Sequence, residues 1–228
     1  MVPPQKDGGS RFTQRAKALL RDVALQATVD IVRTRGWAQT RMADIATLAG
    51  ISKPTLYKYF GSRDELARAY VDREVDLILQ TARSELERYP DDPERALTEG
   101  LRHIVDDMSR NPLIRAVLTD DAAAASLLPL VTTHGERLLK HSVDEMASII
   151  RAALPGAQPE DVRAYSDTMV RMMISHAILP SPSTEDSVDS MLRVALPLLR
   201  DVRGKGTAAQ PGASDSNSPM EGQDECRN

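Results

Sequence analysis

The stretch from Gly50 to Phe60, GISKPTLYKYF, concentrates side chains that can bind a polyanion. Lys53 and Lys58 supply cations, Thr55 and Tyr57 supply hydroxyl groups, and the stretch contains no acidic residue. Ammonium and hydroxyl groups bind phosphate oxygens, and short side chains beside them can reach base edges in the major groove of DNA. The chemistry that this stretch offers is therefore recognition of a nucleic acid.

The distribution of charge along the chain supports this interpretation. The net charge of the 228 residues is −4, which by itself does not suggest a nucleic-acid-binding protein. Residues 1–60, however, hold ten Lys or Arg and four Asp or Glu, whereas the remainder holds nineteen and twenty-nine. A basic module followed by an acidic body is the expected pattern when only the first part meets DNA, although a charge-balanced surface is the alternative.

Short helices must position these side chains. Thr40 is predicted to cap a helix that Gly50 ends, and Ser52 is predicted to cap a helix from Lys53 to Phe60. Pro54 is compatible with the first turn of that helix, because its missing N–H has no partner there. Two short helices joined by a tight turn with glycine are typical of a helix-turn-helix unit.

The flanking helices complete this unit. Ser62, followed by Glu65, forms a capping box that predicts the start of a long fourth helix. A first helix is predicted from Thr13 to Arg35, because its apolar residues recur at helical spacing. That predicted buried stripe contains Ala16, Leu19, Leu20, Val23, Ala27, Ile31 and Val32.

The third helix has two different faces. Leu56 and Phe60 are four positions apart and are predicted to face the core. Lys53, Tyr57 and Lys58 then lie on the opposite side with Pro54, and Thr55 lies at the flank. The outward face therefore carries cations, hydroxyl groups and a ring where a solvated helix would usually carry acidic residues as well.

Residues 27–66 resemble the DNA-binding domain of the TetR family of bacterial transcriptional regulators. The string IATLAGISKPTLYKYFGSRDEL carries most of the resemblance, together with Gly36, Trp37 and Thr40. The resemblance implies an all-α fold, with an N-terminal three-helix helix-turn-helix domain and a larger helical C-terminal domain for ligand binding and dimerisation. It implies a dimeric, ligand-responsive regulator, most simply a repressor, that binds an inverted-repeat operator and is released by a small apolar effector.

The resemblance also implies roles for individual residues. Phosphate contacts fall to Lys53, Tyr57 and Lys58, with Arg63 at a position where the family often has lysine. Base edges would be approached by Pro54 and Thr55. Two hydroxyls, those of Thr40 and Ser52, would bond phosphates or cap helices. Arg41 is either a further DNA contact or a solvated charge, and Tyr59 is expected to pack rather than to contact DNA.

Four segments follow from the composition and the resemblance: an arm over residues 1–12, the DNA-binding domain over 13–69, a helical effector-binding and dimerisation domain over 70–203, and a disordered tail over 204–228. The arm holds Lys6 and Arg11, which would track DNA unless the Gly8-Gly9-Ser10 step leaves it disordered. The tail is rich in Gly, Ser and Pro and contains the single Cys226.

The effector is expected inside the C-terminal domain, which is rich in Met and poor in aromatic residues. Such linings suit flexible apolar ligands, although ordinary core packing is the alternative. The candidate pocket residues are Met108, Leu113, Val117, Met146, Tyr165, Met169, Met172, Met173 and His176.

The last two predicted helices, after Pro159 and after a cap at Thr184, have broad apolar faces. Pro197 is expected to kink the final helix or to end it early. Two copies of such a hairpin would form a four-helix bundle, as in TetR-like dimers, unless these faces are buried within one chain. The candidate dimerisation residues are Val162, Val188, Met191, Leu192, Ala195, Leu196 and Leu199.

Other functions leave weaker signals. No catalytic constellation and no cofactor motif is recognisable, so neither an enzyme nor a cofactor is expected. His134 and His141, seven positions apart, could ligate a metal with Glu145, but ordinary polar positions explain them and no metal is expected.

No apolar run could span a bilayer and no signal peptide is visible, so a cytoplasmic protein without a membrane partner is expected. The alternatives are a non-specific architectural DNA-binding protein and a helical enzyme or interaction protein with a vestigial helix-turn-helix.

Overall fold

The computed structural model describes the backbone of residues 7–119, 128, 129 and 135–208, and the side chains of residues 14–115, 128, 129 and 135–204. Over these residues the fold is all-α, as predicted, and contains no strand. The predictions for Lys6, Arg11, His134, Cys226 and the side chain of Val117 lie outside the described residues. The helices are α1 (Asp7–Arg35), α2 (Met42–Leu48), α3 (Lys53–Phe60), α4 (Arg63–Arg88), α5 (Pro93–Arg110), α6 (Pro112–Thr119), α7 (Glu136–Ala153), α8 (Pro159–Ile178) and α9 (Thr184–Ala208).

The caps of α3 and α4 confirm the sequence prediction. The hydroxyl oxygen of Ser52 accepts a hydrogen bond from the backbone N–H of Thr55, and that of Ser62 accepts one from Glu65. Gly61 lies between the two helices with φ of 71°, a conformation that a side chain would disfavour. The turn between α3 and α4 is therefore fixed by the serine caps of the two helices and by Gly61.

Several helix boundaries differ from the prediction. The start of α1 lies at Asp7 rather than Thr13, and α9 continues through Pro197 to Ala208, so the predicted early end is wrong. Ser183, not Thr184, caps α9, since its hydroxyl oxygen accepts the N–H of Asp186 at 3.0 Å. These differences arise because helix ends depend on local hydrogen bonds that the apolar periodicity does not encode.

The first buried cluster contains residues from each of the helices α1, α2, α3 and α4. Trp37, Ile45, Leu56 and Leu66 are all fully buried in it, and Leu113 of α6 packs into the same cluster. The predicted stripe of α1 is partly wrong, since Leu19 is 65% and Val23 38% exposed. The buried face of α1 is instead rotated toward Ala24, Leu25, Ala27, Thr28, Ile31 and Val32.

A second buried cluster forms the body from α5, α7, α8 and α9. Ion pairs on the surface connect the same helices: Arg200 of α9 binds Glu94 of α5, and Arg163 of α8 binds Asp144 of α7. The Arg200 guanidinium, through its hydrogen bonds, holds the pKa of Glu94 below its usual value. No helix within the described ranges is both long and apolar enough to cross a membrane.

Candidate functional site: the outward face of α3 and the cavity of the body

The outward face of α3 presents the side chains that the sequence indicated. Lys53, Pro54, Tyr57 and Lys58 are exposed, and Thr55 is half-buried at the flank. On the opposite side Leu56 is 0% and Phe60 7% exposed, so the two faces are separated as predicted. The burial of that apolar pair fixes the rotation of α3 and thereby holds the polar side chains outward.

The cations on this face have no internal partner. Lys53, Lys58 and Arg41 form no ion pair with any described residue, whereas the nearby Arg33 and Arg35 pair with Asp30 and Asp44. A cation without an internal counter-charge is available to neutralise a phosphate. These three side chains therefore place unpaired positive charge on and beside α3.

The hydroxyl groups at the start of α3 form a small network. The Ser52 and Thr55 oxygens are 2.7 Å apart, and the Thr55 N–H donates to the Ser52 oxygen at 3.2 Å. This network fixes the rotamer of Thr55 at the exposed edge of the helix. A fixed hydroxyl loses less conformational entropy on binding than a free one.

The structure changes the interpretation of two predicted contacts. Thr40 is 1% exposed, and its hydroxyl donates to the carbonyl of Gly36 at 2.8 Å. It does not cap α2, whose N-cap is Arg41 without a side-chain hydrogen bond. The predicted phosphate or capping role of Thr40 is therefore wrong, because its hydroxyl is used to close the turn that follows α1.

Arg63 is half-buried and is engaged within the domain. Its guanidinium carbon lies 4.3 Å from the centre of the Trp37 ring, and its Nη2 donates to the Trp37 carbonyl oxygen. Partial burial lowers the pKa of Arg63 below its usual value. This placement does not support the predicted phosphate contact and instead makes Arg63 a brace between α4 and the turn after α1.

A cavity of about 220 Å³ lies in the body and is lined by residues of α4 to α8 together with Leu128 and Leu199. Its walls are almost entirely aliphatic. Six predicted pocket residues line it, namely Met108, Leu113, Met146, Tyr165, Met169 and Met173. Met172 and His176 do not line the cavity. The face of α8 toward the cavity carries Met169, Met173 and Ala177, and Met172 and His176 lie on another face.

The few polar groups in the cavity wall are of two kinds. The Ser142 hydroxyl donates to the Leu138 carbonyl at 2.8 Å, and is therefore satisfied. The Tyr165 hydroxyl is buried and has no hydrogen-bond partner among the described residues. Burial in apolar surroundings raises the pKa of Tyr165 well above its usual value, so the phenol stays protonated at neutral pH.

Asn111 connects the cavity wall to the first cluster, a role that sequence reasoning missed. Its amide nitrogen donates to the Tyr70 hydroxyl at 3.0 Å and to Glu74 at 2.8 Å, and its amide oxygen accepts the N–H groups of Leu113 and Ile114. Asn111 therefore caps α6 and ties it to α4. An Asn directly before a Pro that opens a helix is the signal that predicts such a cap.

The predicted dimerisation residues lie mostly inside the protomer. Val162, Met191 and Ala195 are each 0% exposed, and Val188 and Leu199 are each 3% exposed. A side chain covered by its own chain is not available to a second copy, so this part of the prediction is wrong. Leu192 and Leu196 are half-buried, and the exposed apolar side chains of α9 are Val194 and Leu198.

The histidines have partners or positions that do not indicate a metal. His103 lies 3.1 Å from the buried Glu85, and His141 lies 3.4 Å from Asp76, neither with a further ligand. Across the described residues no group of three or more His, Cys, Asp or Glu is arranged to hold a metal ion. The Nδ1 atom of His176 is buried and has no hydrogen-bond partner in the described part of the chain.

The two short helices with their free cations, seated on a helical body, define a helix-turn-helix regulator of transcription. Residues 24–70 match the description "Bacterial regulatory proteins, tetR family", and residues 92–197 match "Bacterial Tetracyclin repressor, C-terminal domain". The chain belongs to the TetR family of transcriptional regulators, as the sequence resemblance indicated.

Individual relatives align with most of the chain. The transcriptional regulator AlkX of Mycobacterium tuberculosis is 28% identical over 82% of this chain and 88% of its own length. EthR of Mycolicibacterium smegmatis is 26% identical over 63% of this chain and 66% of its own. The crystal structure of the repressor AlkX from a Dietzia strain, implicated in biodegradation of n-alkanes, aligns with a TM-score of 0.72 and 28% identity, covering 79% of this chain and 97% of that one.

Proposed function

We propose that the protein is a dimeric repressor that binds an inverted-repeat operator and responds to a small apolar effector. The observation that carries this proposal is the outward face of α3, where Lys53 and Lys58 have no internal partner among the described residues. Free cations on a short helix with a fixed inner face are suited to the major groove of DNA. The family and the arrangement of the helices support the same function.

The proposed DNA contacts divide into two groups. Lys53, Tyr57 and Lys58, with Arg41 and Ser52 at the helix starts, would bind phosphates and position the domain. Pro54 and Thr55, at the exposed first turn of α3, would contact base edges and read the sequence. Arg63 and Thr40 belong to neither group, since both are engaged inside the domain.

The proposed dimer uses the outer surface of α9. Since most of the predicted interface residues are covered within the protomer, the exposed Val194 and Leu198, together with Pro197, remain as the apolar candidates. They recur at three- and four-residue spacing and therefore share one face of the helix. A two-fold dimer would present two copies of α3 to half-sites about one helical turn or more apart.

The proposed effector site is the cavity of the body. Its aliphatic walls favour an apolar ligand, and its volume of about 220 Å³ lies below the roughly 300–1,000 Å³ typical of sites for drug-sized ligands. A small or slender molecule is therefore expected. The relative from Dietzia, implicated in n-alkane biodegradation, leads us to place hydrocarbon-derived molecules first among the effectors to test.

Coupling between the cavity and DNA is proposed to run through α4 and α6. Both helices line the cavity, and both contribute to the first buried cluster through Tyr70 and Leu113. An effector that pushes these walls apart would shift α4 relative to α1 and alter the spacing of the two α3 helices. A ligand changes DNA affinity only by as much as it prefers one such arrangement over the other.

Selection of binding sites from a random-sequence DNA pool tests the proposal. The expected product is an inverted repeat whose half-sites are each bound by one protomer. An architectural DNA-binding protein would instead enrich no sequence, and a protein with a vestigial helix-turn-helix would retain no DNA. Either of these results would contradict the proposed function.

A further inference from the structure

The cavity contains one polar group without a partner in the described structure, the hydroxyl of Tyr165. Tyr165 lies on α8, lines the cavity and is 4% exposed, and its hydroxyl neither donates nor accepts a hydrogen bond there. Buried hydroxyl groups in folded proteins are nearly always hydrogen-bonded, because an unsatisfied one is costly. The exception indicates that a bound molecule supplies the missing partner.

The other polar side chains around the cavity are already engaged. Ser142 donates to a backbone carbonyl of its own helix, and the Asn111 amide bonds to Tyr70 and Glu74. A ligand that displaced these bonds would lose as much as it gained. Among the described lining residues, Tyr165 therefore carries the hydroxyl proton for which a ligand can supply a new acceptor.

The charge around the cavity restricts the ligand further. Glu74 is the single ionised side chain among the described lining residues, which include no Lys, Arg or His. An ionised carboxylate or phosphate would leave its hydration shell without meeting a lining cation, because Arg73, the cation beside Glu74, is already paired with Glu74 at 3.1 Å.

We infer, resting on the proposed function, that the effector is a neutral and mainly apolar molecule whose polar end accepts a hydrogen bond from the Tyr165 hydroxyl. Primary alcohols, esters and un-ionised carboxylic acids have this chemistry, whereas carboxylate anions do not. Because Tyr165 remains protonated at neutral pH, its hydroxyl is a donor toward such a ligand. The aliphatic walls accommodate the hydrocarbon part, and the methionines adjust to its shape.

Calorimetric titration of the full chain with 1-octanol and with octanoic acid tests this inference. We expect 1-octanol to bind with an affinity that is constant between pH 6 and 8. Carboxylic acids of this kind titrate at roughly pH 4–5, so only a small and falling fraction is neutral in that window. The apparent affinity of octanoic acid should therefore fall about tenfold per pH unit.

A substitution isolates the hydroxyl group. Tyr165→Phe removes only the phenolic oxygen, and should weaken 1-octanol binding about fivefold, the effect of one hydrogen bond. Tyr59→Phe, which removes the same atom from an exposed position of α3, serves as the matched control and should leave 1-octanol binding unchanged. The pH series on the unaltered protein remains decisive even if the Phe variant folds poorly.

Three results would overturn the inference. The first is an affinity for octanoic acid that does not depend on pH. The second is equal affinity for 1-octanol in the unaltered protein and in a folded Tyr165→Phe variant. The third is that no primary alcohol from hexanol to dodecanol binds. Binding to the selected DNA, measured on the same preparations, distinguishes a failure of the effector inference from a failure of the proposed function. If DNA binding is intact, only the effector class is wrong, whereas its loss contradicts the proposed function itself.

Discussion

The DNA-binding domain and the body use opposite sides of their helices for function. In the domain of α1 to α4 the core is complete, with Trp37, Ile45, Leu56 and Leu66 fully buried, and the groups proposed to contact DNA are on the outside. In the body a polar group without a partner among the described residues, the Tyr165 hydroxyl, lies inside, in the wall of a largely apolar cavity. A complete core holds a rigid reading surface, whereas an incomplete core leaves room for a ligand and for movement of α4 and α6.

The proposed dimer would contribute most to operator binding, so a variant that breaks it should show the largest effect. Introducing two carboxylates by Val194→Glu and Leu198→Glu should give monomers and weaken operator binding by roughly 100-fold or more, because the second half-site contact is lost. Sedimentation velocity and fluorescence anisotropy measure the two effects.

The control places the same charges elsewhere on the surface. Gln80→Glu and Ser84→Glu lie at exposed positions of α4 and should leave both the mass and the affinity unchanged. A Val194/Leu198 variant that stays dimeric and binds normally would place the interface on another surface.

The base-reading role of the first turn of α3 should give the next largest effect. Pro54→Ala or Thr55→Ala should reduce discrimination between operator and mutated operator by about 1–3 kcal/mol at the contacted base pair. Binding to random DNA should change little. An equal loss on operator and random DNA would instead assign these residues to positioning.

The phosphate contacts should have a smaller and sequence-independent effect. Lys58→Ala should weaken binding to all duplexes and lower the slope of log affinity against log salt by about one. Lys140→Ala, an exposed lysine of the body, is the matched control and should not change the slope. An unchanged slope for Lys58→Ala would show that this lysine does not neutralise a phosphate.

The brace between Arg63 and Trp37 should affect stability rather than DNA binding. Arg63→Met should lower the free energy of unfolding by about 1–2 kcal/mol through loss of the cation–π contact and hydrogen bond. Urea denaturation followed by the fluorescence of Trp37, the only Trp of the chain, measures this. Arg33→Met, at an exposed position of α1, is the control. A lower salt slope in Arg63→Met would restore Arg63 as a phosphate contact.

The two regions also differ in how far the sequence predicts them. In the DNA-binding domain, local signals determine local structure: Ser52 and Ser62 cap the helices that they were expected to cap, and Leu56 and Phe60 face inward. In the body, function depends on which side of a helix other helices cover. Apolar periodicity shows that Met191 and Ala195 are buried, but not whether the partner is the same chain or another.

The same limit explains the missed polar residues. Thr40, Arg63 and Asn111 have side chains typical of surfaces and ligand contacts, yet each forms a hydrogen bond with a residue or backbone group brought close by the fold. Arg63 and Trp37 are 26 positions apart, and Asn111 and Tyr70 are 41 apart. Spacing along the chain carries no information about such pairs.

Specific DNA binding is the central claim, and one measurement tests it most directly. Fluorescence anisotropy at matched salt compares the affinity for DNA upstream of the protein's own gene with that for random DNA of equal length. The account predicts at least about 1,000-fold tighter binding to a site in the upstream DNA. Equal affinity for the two duplexes, with a salt slope that Lys58→Ala does not change, would contradict it.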